Sequence, residues 1–279
     1  MADKVELNID GEPVTGTRSE PLLSLLQARG CDVPTLCHHP SVRPFGACRL
    51  CLVEVARKGK TRLTTSCNYP VLEGIDVTTD SERIRKHRKV VLELMMARAP
   101  GVLEIEELAE RYGADSTRMV EPERTEPCIL CGLCVRVCRE VVGASVLAFV
   151  GRGGTKRVAT PYGELPDSCI GCGACAAVCP TGAINVAFRA AERFRAADGA
   201  DRLCRYALMG LTPGAVCARS YECEGCEVEQ SLAHQMGDHP VMLARGELTD
   251  EVIDYLDRRK RARADRQGDS TPDEGGLKS

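Results

Sequence analysis

The sequence predicts an α+β chain built from several small units in series, and three features predict it. Short alternating apolar runs bracket a brief helical stretch near the N-terminus, a longer stretch of helical period follows, and two cysteine runs of identical spacing come after that. Seventeen cysteines in 279 residues, with no Trp, 4 Phe and 6 Tyr, leave little material for a large aromatic core. Much of the folding energy is then expected from whatever the cysteines bind.

Residues 1–80 form the first unit. In KVELNIDGEPVTG, Val5, Leu7 and Ile9 fall on one face and Asp10-Gly11 supplies a hairpin turn. PLLSLLQARG reads as a short helix, with Leu22, Leu25 and Leu26 at helical spacing and Gly30 as its C-cap. LCLVEVARKGKTRLTTSC reads as two strands around Lys58-Gly59, and GIDVTT as a last strand. Two hairpins with a helix between them make a ubiquitin-like (β-grasp) layout. Residues 81–121 read as a helical linker, SERIRKHRKVVLELMMARA and LEIEELAERYGAD, broken at Pro100-Gly101. Residues 122–195 hold the two cysteine runs, and 196–246 a further four cysteines. Residues 247–279 read as an amphipathic helix and a polar tail expected to be disordered.

Lys+Arg 37 against Asp+Glu 40 gives a formal charge of −3, which supports neither a nucleic-acid nor a membrane-surface role. Charges interrupt MADKVELNIDGEPV before an apolar signal region forms, and no run approaches the ~18 apolar residues of a membrane span. A cytoplasmic location is expected. Thiols stay reduced there, so dense cysteine reads as metal binding and not as disulfides, and the count of 17 is odd besides.

CILCGLCVRVC, residues 128–138, and CIGCGACAAVC, residues 169–179, each leave two, two and three residues between cysteines. A cubane 4Fe–4S cluster takes three thiolates from one tight loop and one from a distant point, and in two-cluster ferredoxins the fourth cysteine of each run crosses to the other cluster. The spacing therefore assigns one cluster to Cys128, Cys131, Cys134 and Cys179, and a second to Cys169, Cys172, Cys175 and Cys138. Gly132, Gly171 and Gly173 let backbone amides approach the cluster. Pro180 ends the second loop; Arg139 stands at that place in the first, leaving its helix free to continue through REVVG. Two zinc ribbons are the competing reading. Zinc sites pair two CxxC knuckles and have no use for a third cysteine two residues on.

Cys37, Cys48, Cys51 and Cys67 are separated by ten, two and fifteen residues. A 2Fe–2S rhombus needs four thiolates from a long loop and one later strand end, and plant-type ferredoxins use this layout with a shorter first gap. Gly46 in FGACRLC relieves the close backbone. Cys31 reads as a packing thiol. His38 and His39 read as hydrogen-bonding or surface residues, since a Rieske site needs a Cys-His pair in each of two loops. Cys204, Cys217, Cys223 and Cys226 are spaced twelve, five and two, which suits zinc or a further iron–sulfur cluster; His234 and His239 are alternative ligands, and unligated thiols the bland reading.

GRGG at 151–154 precedes no helix and reads as a hairpin turn, not a phosphate loop. RRKRARADR at 258–266 reads as a solvated helix end, or alternatively a docking patch for an acidic partner. The carboxylates of LEIEELAE read as an exposed helix face. No GxGxxG opens a helix after a strand, and neither GxSxG nor HExxH occurs. No catalytic or nicotinamide-binding residues are expected.

LLSLLQARGCDVPTLCHHPSVRPFGACRLCLVEV with the later TTSC resembles the N-terminal 2Fe–2S domain of a known group. Its members are the large iron–sulfur subunit of respiratory complex I, the diaphorase small subunit of NAD-reducing hydrogenases, iron-only hydrogenases and NAD-linked formate dehydrogenases. EPCILCGLCVRVCREVVG resembles the first run of their two-cluster domain. The resemblance spans about residues 1–190, and the 200–243 segment lies outside the common pattern. Those proteins usually carry a His-plus-three-Cys 4Fe–4S site between the two domains. Here KVVLELMMARAPGVLEIEELAERYGA has no cysteine and His87 stands alone, so the electron route either branches or uses a partner's cluster.

The resemblance implies an electron-transfer subunit of a multi-subunit NAD(P)H-linked oxidoreductase. A flavin- and NAD(P)-binding subunit would stand on one side, and a terminal redox subunit (hydrogenase, formate dehydrogenase) or a ferredoxin on the other. Plant-type 2Fe–2S centres lie at about −400 mV, which allows flavin-based bifurcation. Two other readings compete: a self-contained enzyme with an active cluster at 204–226, and a structural subunit whose clusters only staple small domains.

Overall fold

The computed structural model describes residues 3–115, residues 126–184 apart from Asp167 and Ile170, and short stretches between residues 204 and 231. The chain divides into two units, one of Met1–Pro166 with Cys175–Val186, the other of Asp167–Ala174 with Ala187–Ser279.

The first unit opens with β1 (Lys4–Ile9) and β2 (Glu12–Thr17), paired antiparallel with Leu7 opposite Val14. Val5, Leu7 and Ile9 alternate with exposed neighbours, as period-two strands require. Asp10 and Gly11 both have positive φ, the type I′ geometry whose twist matches the strands it joins. Helix α1 (Leu22–Ala28) buries Leu22, Leu23, Leu25 and Leu26. It ends in a Schellman motif: the Cys31 N–H donates to the Leu26 carbonyl at 2.9 Å, the Gly30 N–H to Gln27 at 3.0 Å, and Gly30 adopts φ +75°.

Strands β3 (Leu52–Arg57) and β4 (Lys60–Thr65) form the second hairpin, again turning through two residues of positive φ, Lys58 and Gly59. Strand β5 (Asp76–Thr78) lies between the hairpins, parallel to β1 and antiparallel to β3, giving the sheet order β2-β1-β5-β3-β4. One core of sheet and α1 side chains results, in which Val53, Val71 and Ile75 are fully buried.

Helix α2 (Glu82–Arg98) starts at Ser81, whose hydroxyl accepts from the Ile84 N–H at 3.2 Å. It stops before Pro100-Gly101, and α3 (Leu103–Tyr112) follows, burying Ile105 and Ala109 while its glutamates face outward. His87 is exposed on α2. Helix α4 (Leu133–Glu140) carries the second half of the first cysteine run. It does not continue through REVVG. Ala144 N–H donates to the Cys138 carbonyl at 3.0 Å, and Gly143 turns left-handed, which peels the chain off after Glu140. Strands β6 (Ala148–Val150) and β7 (Arg157–Ala159) pair antiparallel, with the GRGG segment as their connection. In the second unit Arg205–Leu208 forms a helical turn, α5. Among the described residues no helix is long and apolar enough to cross a membrane.

Candidate metal centres

Cys37, Cys48, Cys51 and Cys67 are all buried, at 1%, 4%, 1% and 1% exposure. The fold explains the convergence. Leu52 pairs with Thr65, so the β3–β4 hairpin brings the residues just outside it, Cys51 and Cys67, to the same end. The Ser66 N–H and hydroxyl both donate to the Cys51 carbonyl at 2.9 Å and fix that end. Cys37 and Cys48 come from the segment between α1 and β3, which contains no helix or strand. There the Cys48 N–H donates to the Cys37 sulfur at 3.3 Å.

The thiols act on one another as two couples. A hydrogen bond from Cys37 pushes the Cys48 thiol down to about 6, helped by the backbone of Leu50 and Leu36, and Cys37 moves up in return. A hydrogen bond from Cys67 pushes Cys51 down to about 7, and Cys67 moves up through that bond, burial and the charges of Cys51, Cys37 and Cys48. All four sulfurs therefore share one electrostatic site. Four soft donors in a dry pocket with amides nearby fit an iron–sulfur group. At Gly46 the backbone has φ +68°, and a Cβ would stand 3.1 Å from the Asn68 amide nitrogen, so glycine is needed beside Cys48.

In the same unit Cys131 and Cys134 are buried, and Cys128 and Cys179 are half-buried. Burial, with Cys179 and Cys128 nearby, pushes Cys131 up to about 11. Burial also pushes Cys134 up, followed by Cys131, Cys179, Cys175 and Cys128. The four residues of the first expected 4Fe–4S set thus lie within reach of one another's charges, as does Cys175. Backbone amides already point at sulfur: Ala183 N–H to Cys179 at 3.2 Å, and Val146 N–H to Cys138 at 3.3 Å. Gly132 begins α4 with φ +74°, and a Cβ there would meet the Phe149 ring at 3.1 Å.

Of the second expected set, Cys138 and Cys175 belong to the first unit; Cys169 and Cys172 belong to the second, where both are buried. In the C-terminal group Cys204, Cys217 and Cys226 are half-buried, and Cys204 N–H donates to the Ala215 carbonyl at 2.8 Å. Cys223, His234, His239 and the 258–266 basic run lie outside the described residues. Among the described residues no three His, Cys, Asp or Glu side chains converge on a single-ion site, and no described cysteine is in a disulfide. Cys31 packs against the N-terminal core, and the His39 Nδ1 accepts from the Ser41 N–H at 3.2 Å. Burial chiefly holds the His38 imidazole below its ordinary value, with His39 and Arg136 adding to it.

Three arginines whose partners lie far off in sequence hold the cysteine-bearing segments. Arg88 is 1% exposed and donates to the carbonyls of Leu50 and Leu52, which lie on either side of Cys51, at 3.0 Å each. It also reaches the Thr79 carbonyl at 3.3 Å and the Tyr112 hydroxyl at 3.1 Å. Arg98, at the end of α2, donates to the Cys128 carbonyl at 3.3 Å and the Lys156 carbonyl at 2.9 Å. Arg136, on α4, donates to the Cys37 carbonyl at 2.7 Å and to the Arg43 carbonyl.

Comparison with known proteins finds both kinds of iron–sulfur domain in the chain. The 2Fe–2S iron–sulfur cluster binding domain family matches residues 2–82, and the 4Fe–4S dicluster domain family matches residues 127–183. The chain is 33% identical over 204 residues to NADPH-Fe(3+) oxidoreductase subunit alpha of Geobacter sulfurreducens, covering 64% of this chain and 24% of that protein. An NADH-quinone oxidoreductase subunit of Rhizobium meliloti is 29% identical over 297 residues, covering 96% of this chain and 34% of its own length. That match extends beyond residue 190 and takes in the 204–226 segment. The 78 kDa subunit of mitochondrial NADH-ubiquinone oxidoreductase from Candida albicans is 33% identical, covering 67% of this chain and 29% of the relative. The chain thus spans about a quarter to a third of the length of these relatives. Among solved structures, a chain of NAD+-reducing [NiFe]-hydrogenase in the H2-reduced state superposes with a TM-score of 0.57 at 28% identity, covering 65% of this chain and 86% of the other. The chain therefore contains a 2Fe–2S iron–sulfur cluster binding domain followed by a 4Fe–4S dicluster domain, and is homologous over much of its length to subunits of NADH-ubiquinone and NADH-quinone oxidoreductases and to a chain of NAD+-reducing [NiFe]-hydrogenase.

Proposed function

We propose that this chain is the electron-relay subunit of a cytoplasmic, multi-subunit NAD(P)H-linked oxidoreductase. It would take single electrons from a flavin- and NAD(P)-binding subunit and pass them to a terminal redox subunit or a ferredoxin. The observation that carries this reading is the coexistence, in one unit, of a buried four-thiol set at Cys37, Cys48, Cys51 and Cys67 and a second thiol set at Cys128, Cys131, Cys134 and Cys179. Bound there, iron–sulfur clusters supply one-electron storage at potentials tuned by burial and hydrogen bonds. The residues of the chain exclude water from the sulfurs and aim amides at them.

The sheet order β2-β1-β5-β3-β4 with one helix supports a β-grasp ferredoxin domain over residues 1–80. The linker 81–121 and the two-cluster domain 122–195 would follow. The spacing of the second run supports a further cluster at Cys169, Cys172, Cys175 and Cys138. Cys204, Cys217, Cys223 and Cys226 would hold zinc or one more cluster in a 196–246 module. The carbonyl contacts of Arg136 support a direct route from the 2Fe–2S site to the first 4Fe–4S site, since they join the Cys37 and Cys134 segments. No step through the cysteine-free linker is then needed.

The chain alone is expected to bleach with dithionite and to stay oxidised with NADH or NADPH until a flavin subunit is added. Optical titration under argon checks this. Reduction by either nicotinamide without a second subunit would instead favour a self-contained enzyme.

A further inference from the structure

We propose that Arg136 is a positioning residue for the hop between the 2Fe–2S site and the first 4Fe–4S site, and that its buried charge raises the potential of the 2Fe–2S centre. The inference rests on the cluster assignments above and goes beyond them by giving a role to a residue that ligates nothing.

Arg136 lies two residues after Cys134 and two before Cys138, on the buried face of α4 with Leu133 and Val137. It is 6% exposed. One amino group donates to the carbonyl of the ligand Cys37 at 2.7 Å, the other to the Arg43 carbonyl further along the same loop. The guanidinium carbon stands 5.5 Å from the centre of the Phe45 ring. A second bond closes the seam from the other side, since Arg43 N–H donates to the Glu140 carboxylate at 2.9 Å. Helix α4 is thereby fastened at two points, one turn apart, to the loop that bears Cys37 and Cys48.

Two consequences follow from the chemistry of this contact. A planar fork satisfied by two carbonyls at once fixes orientation as well as distance, which an ammonium cannot do. Electron transfer falls off steeply with distance, so a loosened fork slows the hop. The hydrogen-bond partners of the guanidinium are backbone carbonyls and not a carboxylate. These bonds join it to no carboxylate, and a positive charge held beside the Cys37 carbonyl favours the reduced, more negative state of the sulfur site that Cys37 belongs to.

The test compares wild type, Arg136→Lys, Arg136→Gln and Phe45→Leu in the full chain, each with iron and sulfide counted first. The 2Fe–2S midpoint is then read by EPR redox titration, and the inter-cluster rate by flash reduction. Arg136→Gln is expected to lower the midpoint by at least 59 mV, a tenfold change for a one-electron couple, and to slow the hop at least tenfold. Arg136→Lys is expected to keep a near-wild-type midpoint yet slow the hop by a similar factor. Phe45 is 52% exposed, so its replacement spares cluster loading and is expected to slow the hop severalfold. Loaded variants with wild-type midpoints and rates would overturn the proposal while leaving the cluster assignments intact. If neither Arg136 variant loads, an unchanged rate in Phe45→Leu overturns it. A wild-type chain without a 2Fe–2S signal would overturn the assignments, and this proposal with them.

Discussion

Cys51→Ser is expected to strip the N-terminal site of its iron, abolish the 2Fe–2S EPR signal and leave the 4Fe–4S signals in place. Cys51 is 1% exposed, and the hydrogen bond from Cys67 pushes its thiol down to about 7, so its sulfur is a dry ligand that ionises readily. A serine hydroxyl is harder, far less acidic and shorter, and a soft iron site binds it poorly. The loss reaches beyond the metal. The segment from Val33 to Leu50 has no helix or strand, and the cluster would tie it, through Cys37 and Cys48, to the hairpin end that carries Cys51 and Cys67. Cross-links of this kind are worth about 2–4 kcal/mol each in chain-entropy accounts, and metal binding at a site absent from the unfolded chain is folding energy. A fall in unfolding temperature of well over ~10 °C is therefore expected, read by calorimetry under argon. Cys31→Ser is the control. That thiol is half-buried at the end of α1 and outside the set, so its iron count should match wild type.

Arg88→Met is expected to destabilise the N-terminal domain by about 3–5 kcal/mol, because it leaves the carbonyls of Leu50, Leu52 and Thr79 without their donor. Each unsatisfied buried group costs about 1–3 kcal/mol, less whatever water can recover. The substitution also removes the guanidinium from the Tyr112 ring, 5.4 Å away, and so loosens α2 from α3. Because Leu50 and Leu52 flank Cys51, the 2Fe–2S EPR line should broaden as well. Urea unfolding of wild type, Arg88→Met and Arg88→Lys checks the first effect, with the lysine variant falling between the other two. A change under about 1 kcal/mol would mean that these carbonyls find other donors.

The parts of the fold legible in the sequence are those fixed by local rules. Val5, Leu7 and Ile9 alternate because a strand has period two, Asp10-Gly11 turns because such a pair takes positive φ cheaply, and Gly59 supplies one of the two positive-φ positions of the second hairpin turn. Pro100-Gly101 parts α2 from α3 for equally local reasons. The thiol sets are legible because ligand spacing is itself a geometric constraint.

The arginines are not, because their partners are distant in sequence: Arg136 meets a carbonyl 99 residues away. Arg88 does leave a trace. Ile84, Arg88 and Leu92 share one helical stripe, and a charged residue in an apolar stripe signals a buried polar contact. The end of α4 escapes sequence reasoning for a similar reason. The lack of a proline permits a helix to continue, but Ala144 takes the Cys138 carbonyl and decides where it stops.

The most direct test of the relay is a metal and sulfide count on the anaerobically purified full chain, with EPR on the reduced sample. About ten irons and a matching sulfide count are predicted, with one 2Fe–2S and two 4Fe–4S signals. The 204–226 site would add either one zinc or further iron. A fully loaded chain holding fewer than about ten irons, or holding zinc where the 4Fe–4S runs stand, would contradict it.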